Sequence, residues 1–119
     1  MGNPRQSNGA RRRANRKRLK AEGRGCWICR AFGRPDAIDY SLPPGHPMSF
    51  EMDELVPVSK FWLGGYPTPE ACALDYSNND ATHRRCNNWR KNKTVDEVMQ
   101  IARGGKPPQP FLPQPFAEW

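Results

Sequence analysis

Apolar side chains fall along the chain in short clusters, and the spacing within each cluster predicts its element. Residues 11–22, RRRANRKRLKAE, are good helix formers without a bulky apolar face, closed by Gly23 and Gly25, and they predict a basic helix. In residues 49–58, SFEMDELVPV, the apolar Phe50, Met52 and Val56 predict a strand ending at a proline-marked turn. Ile38-Asp39-Tyr40 predicts a second, shorter strand within a Pro/Gly-rich stretch. Residues 59–77 predict a loop that carries a short helix from about Pro69 to Leu74. Val95, Val98, Met99 and Ala102 share one helical face; Thr94 and Glu97 predict a capping box, and Gly104 a C-terminal cap. Residues 1 to about 10 are polar and predict disorder. Residues 106–119, KPPQPFLPQPFAEW, hold five prolines and predict an extended tail whose Phe111, Phe116 and Trp119 lie on the domain or meet a partner.

At 119 residues the chain is one small α+β domain, with a basic arm at 1–22, a domain at 23–105 and the tail at 106–119. Hydrophobic residues make up only 36%, so the core is modest and calls for a staple such as a metal or disulfides. The net charge is +7, and nine of the 19 cations precede Cys26. Clustered positive charge predicts a polyanionic partner, nucleic acid above all. A membrane surface fits less well, because the basic segment has no apolar face. No apolar run approaches a membrane span, and the charged N-terminus lacks the apolar stretch of a secretory signal. A cytoplasmic setting is expected, where thiols stay reduced, so Cys26, Cys29, Cys72 and Cys86 read as metal ligands or buried thiols rather than disulfides.

Cys26-Trp27-Ile28-Cys29 is half of a zinc knuckle, because its tight turn points both sulfurs at one ion. The redox alternative needs a strand before it in a βαβ unit, and none is visible. His83-x-x-Cys86 supplies a second pair, which predicts a tetrahedral Cys3His zinc site. Cys72 has no partner three residues away and reads as a buried thiol; His46, in Pro-Pro-Gly-His-Pro, reads as a surface-loop residue. Asp53 and Glu54 are adjacent carboxylates in an otherwise apolar strand, expected on opposite sides of it. Burying them is costly unless they are used or paired. The densest chemistry lies in residues 78–93, NNDATHRRCNNWRKNK, where soft-metal ligands, amides and cations interleave.

The ordered set C-x-x-C, Asp53-Glu54-x-x-Pro57, and Asn78-x4-His83-x-x-Cys86-Asn87 resembles the HNH endonucleases, the small phage type in particular. The likeness covers roughly residues 10–95. It implies a ββα-metal (His-Me finger) core with a structural Zn2+ and one catalytic divalent ion, Mg2+ or Mn2+. By position, Asp53 and Asn87 would be ligands of the catalytic ion. Asn78 would brace the loop holding the general base, with Asn79 the alternative if the register slips by one. Glu54 stands where most relatives carry the His that activates water. It would act as the base or as a further metal ligand, or else catalysis is lost and DNA binding kept; His46 is a stand-in base.

The expected function is metal-dependent hydrolysis of DNA phosphodiester bonds with low sequence specificity, linked to phage DNA packaging beside terminase. No membrane and no small-molecule substrate are expected. Arg12, Arg13, Arg16 and Lys17 of the arm, with Arg84, Arg85, Arg90 and Lys91, would grip phosphates. Asp53→Ala is expected to abolish cleavage while the zinc-held core stays folded. The rival readings are a non-catalytic, zinc-stabilised DNA-binding module and a terminase-accessory protein acting through the tail.

Overall fold

A computed structural model describes residues 9–104. The expectations placed on residues 1–8 and on the Pro-rich tail, including its partner, lie outside the described residues. The first helix, α1 (Gly9–Glu22), starts earlier than expected and takes in Gly9 and Ala10. It closes on Gly23, whose positive φ of 64° suits a residue without Cβ and whose N–H reaches the carbonyls of Leu19 and Lys20. Arg12, Asn15, Arg16 and Leu19 are spaced i, i+3, i+4, i+7 and share one face. That face docks: Leu19 is fully buried against Phe50 and Ala81. The Asn15 amide donates to the Leu74 carbonyl at 3.1 Å and to Asn79 Oδ1 at 3.0 Å. The basic helix is therefore part of the domain.

The sheet has two antiparallel strands, β1 (Phe50–Glu54) and β2 (Asn79–His83), registered from Phe50 opposite His83 to Glu54 opposite Asn79. β1 stops at Glu54, short of the proline-marked turn at Pro57 where the strand was expected to end. Beyond it the Asn78 side chain takes over the pairing, and the carbonyls of Glu54 and Leu55 accept from Arg90 rather than from a strand. Ile38-Asp39-Tyr40 is not a strand. Asp39 instead accepts from the Ser41 N–H and hydroxyl, a local turn that competes with sheet pairing, while Ile38 and Tyr40 pack inward.

Between the strands, residues 59–77 are more ordered than a loop. A 3-10 stretch (Val58–Gly64) turns at Gly65, φ 77°. Then α2 (Trp27–Ala31), which lies earlier in the chain, is matched in brevity by α3 (Pro69–Leu74), placed where the sequence predicted and capped by the Thr68 hydroxyl. A last 3-10 turn (Tyr76–Asn78) leads into β2.

Helix α4 (Arg84–Arg90) follows β2 directly and ends at Lys91, φ 53°. Helix α5 (Val95–Arg103) carries both halves of the predicted capping box: the Glu97 N–H donates to Thr94 Oγ1 at 3.1 Å and the Thr94 N–H to Glu97 Oε1 at 2.8 Å. One core cluster gathers Cys26, Trp27, Ile28, Cys29, Cys86 and Val98; the second gathers Leu19, Phe50 and Ala81; Ile38 packs against both. No helix among the described residues is long and apolar enough to cross a membrane.

Candidate metal centre and adjoining cleft

Cys26, Cys29, His83 and Cys86 are all buried, and their ligand atoms lie within 4.8 Å of one another. Zinc with Zn–S bonds of ~2.3 Å holds its sulfurs about 3.8 Å apart. Cys29 Sγ lies 3.8 Å from Cys86 Sγ and 3.4 Å from His83 Nδ1, so the donor set fits that ion. The backbone around it is prepared. The Cys29 N–H points at Cys26 Sγ, and the Cys26 N–H bonds to the Asp36 carbonyl at 2.7 Å. A Cβ on Gly25 would collide with that same Asp36. His83 Nε2 sits 3.0 Å from the Ala37 carbonyl. The tautomer that donates there leaves Nδ1 unprotonated toward the thiols. Hydrogen bonding from Cys26, then Cys86, holds Cys29 far below the usual thiol range.

One turn beyond Cys86, the chain meets the end of β1. Asp53, Glu54, Asn87 and Lys91 line one open cleft of ≈ 390 Å³ together with Pro57, Val58 and Ser59. Asp53 and Glu54 face opposite sides of β1, as strand alternation predicts: Asp53 meets Trp27 and Arg90, and Glu54 meets Arg12 of α1. Asp53 is buried, and its Oδ2 accepts from Trp27 Nε1 at 2.8 Å and from the fully buried Arg90 at 2.5 Å. Burial pushes the Asp53 carboxyl above its ordinary range, against the pull of Arg90 and Trp27. The Asn87 amide donates to Glu51 Oε1 at 3.3 Å, which fixes which end of that amide is nitrogen.

Asn78 braces the turn after Glu54 through backbone bonds. Its Oδ1 accepts from the Val56 N–H at 2.8 Å, and its Nδ2 donates to the carbonyls of Val56 and Cys72 at 3.1 and 3.2 Å. The Asn78 carbonyl accepts from the Leu55 N–H as well. Asn79 instead accepts from Asn15 of α1 and does not brace that turn through its side chain. Cys72 is buried beside Asn78, away from the other thiols, as its isolated position implied. His46 Nδ1 accepts from the Met48 N–H within its own turn.

No family model, curated protein or solved structure matches the chain.

The basic residues divide into two groups. Arg13, Arg16 and Lys17 are exposed on α1, Lys91 is exposed at the cleft, and Arg84 is half-buried against Glu51 at 3.3 Å. Arg85 and Arg90 do not fit the phosphate-gripping role expected of them, because both are buried. Helical spacing puts them on inward faces of α4. Arg85 lies beside the Cys86 and Cys29 thiols, and burial pushes its guanidinium down. Arg34 approaches the same cluster, 3.9 Å from Cys29 Sγ. Arg90 binds Asp53 and the carbonyls of Glu54, Leu55 and Lys93, with its guanidinium 5.1 Å from the Trp27 ring centroid. Arg12 also has an unforeseen partner, Glu54 Oε2 at 3.1 Å. Sequence reasoning missed Trp27, Arg90 and Arg12 as neighbours of the carboxylates. The one available signal was that a carboxylate in an apolar strand must be paired.

Proposed function

We propose that the chain is a metal-dependent DNA endonuclease of the HNH type, with β1, β2 and α4 as its ββα-metal core. The observation that carries this reading is the shared cleft of Asp53, Glu54 and Asn87, set beside a Cys3His cluster that anchors α4. Carboxylate and amide oxygens in an open polar cleft suit a hard cation such as Mg2+ or Mn2+, whereas the thiols and imidazole suit zinc. Asp53 Oδ1 and Asn87 Oδ1 would hold the hard ion. When bound, that ion supplies charge to offset the developing negative charge on a phosphodiester. Glu54 takes a proton from the attacking water or adds a ligand oxygen. Asn78 holds the turn that aims Glu54, and Lys91 and Arg84 with the exposed cations of α1 carry the DNA backbone.

Arg90 and Trp27 on Asp53 Oδ2 favour a second reading, a zinc-stabilised DNA-binding module in which Asp53 is structural. Supercoiled plasmid incubated with the protein and Mg2+, Mn2+ or Ni2+ separates the two. Nicking that disappears in Asp53→Asn supports the nuclease. Absence of nicking with every ion, while gel shifts persist, sinks it in favour of the binding module. The substitution is to Asn because its amide oxygen can still accept from Trp27 and the buried Arg90, whereas Ala leaves both donors without a partner there. The buried Arg90 contact argues against the expectation that an alanine leaves the fold intact.

A further inference from the structure

We infer that Arg12 of α1 is a positioning residue for Glu54, so that the basic helix completes the cleft as well as attracting DNA; this rests on the nuclease reading above. Three observations carry it. First, Arg12 Nη1 donates to Glu54 Oε2 at 3.1 Å across 42 residues of chain, with both side chains more than two-thirds covered. Second, α1 is held rigidly enough to aim that contact. Leu19 is fully buried two turns on, Asn15 is bonded to Leu74 and Asn79, and the Arg18 guanidinium lies 3.8 Å from the Tyr76 ring centroid. Third, Arg12 differs from its neighbours. Arg11, Arg13, Arg16 and Lys17 are exposed, while Arg12 is half-buried on the docked face.

A guanidinium N–H on one carboxylate oxygen narrows the orientations open to a flexible Glu, which is what a carboxylate needs when it must meet a water at one point. Asn78 holds the backbone after Glu54, and Arg12 holds its side chain. Arg12 also lines a groove of ≈ 390 Å³ with Arg13, Arg16, Glu51 and Met52, so the helix that would meet phosphate is the one that orients the carboxylate.

Plasmid cleavage by the full chain, measured against DNA concentration, tests the inference. Arg13→Ala is the comparison, because it removes an exposed cation of the same helix and should raise KM only. Arg12→Ala should lower kcat by at least about tenfold, the size of effect expected from misplacing a reacting group. Arg12→Lys, which keeps the charge, should recover part of the loss, and melting temperatures report whether each variant folds. In a Glu54→Gln background, Arg12→Ala should cost no further kcat, because the residue acts only through Glu54. The inference is overturned if Arg12→Ala raises KM alone like Arg13→Ala, raises kcat, or costs the same factor with and without Glu54. A wild-type protein that cuts with no ion overturns it together with the nuclease reading; the other outcomes overturn it and leave that reading standing.

Discussion

Replacing Arg90 with methionine should be among the most damaging single changes in the domain. The guanidinium is fully buried, donates to four oxygens, Asp53 Oδ2 and the carbonyls of Glu54, Leu55 and Lys93, and lies over the Trp27 ring. Methionine keeps much of the volume and removes every donor. Removing one partner of a buried ion pair costs roughly 3–5 kcal/mol, because the other charge stays buried without compensation. For a domain of this size ~1 kcal/mol moves the melting temperature by about 4–8 °C, so a fall of at least ~12 °C is expected.

The loss should also depend on pH in a definite direction. Burial already pushes Asp53 up, and Arg90 is the strongest influence pulling it back. Without Arg90 the folded-state value rises further above the unfolded one. A carboxyl raised in this way favours folding when protonated. Its contribution is therefore intact below the ordinary Asp value of ~3.9 and is lost as pH rises through the raised value. The deficit of Arg90→Met relative to wild type should then shrink as pH falls from about 7 toward the ordinary Asp range. Protonation of the thiols of the Cys3His cluster is common to both proteins and cancels in the difference. Circular-dichroism melts of the two zinc-loaded proteins across that range measure it. A melting temperature within ~2 °C of wild type, or a deficit that does not close on acidification, would refute the buried-pair account.

Three further outcomes are expected. Cys86→Ala, or a zinc chelator on the wild type, should release one equivalent of zinc per chain and abolish the cooperative melt, because structural zinc binding is itself folding free energy; unchanged zinc content would refute the Cys3His assignment. Asn78→Ala should lose ~2–3 kcal/mol in a urea titration, since it strands the Val56 and Cys72 backbone groups, and cleavage should fall more than stability accounts for. Thr94→Ala should cost about 1 kcal/mol through loss of the capping box and leave cleavage unchanged, because α5 touches the cleft nowhere among its lining residues.

The Cys3His cluster was readable in advance because each half is local. Cys26 and Cys29, or His83 and Cys86, are three residues apart, and that spacing confines both donors to one turn. The capping box of α5 and the short α3 were legible for the same reason. β1 was legible as a strand but not in its length, because its end is set by Asn78 and Arg90 arriving from elsewhere. Ile38-Asp39-Tyr40 misled because β propensity there loses to the Asp39–Ser41 turn.

The carboxylates mark where local reading stops. Their identity and their place near the end of an apolar strand are written in the chain, and so is the requirement that a buried charge find a partner. Which partner it finds is not. Asp53 meets Trp27 and Arg90 from 26 residues before and 37 residues after it, and Glu54 meets Arg12 from 42 residues before. Pairings at such separations follow no helical or strand period. They exist because the Cys3His cluster draws the Trp27 turn and α4 together and Leu19 seats α1 on the sheet. Packing therefore turned two of the expected phosphate ligands into buried supports and set a third on the candidate base.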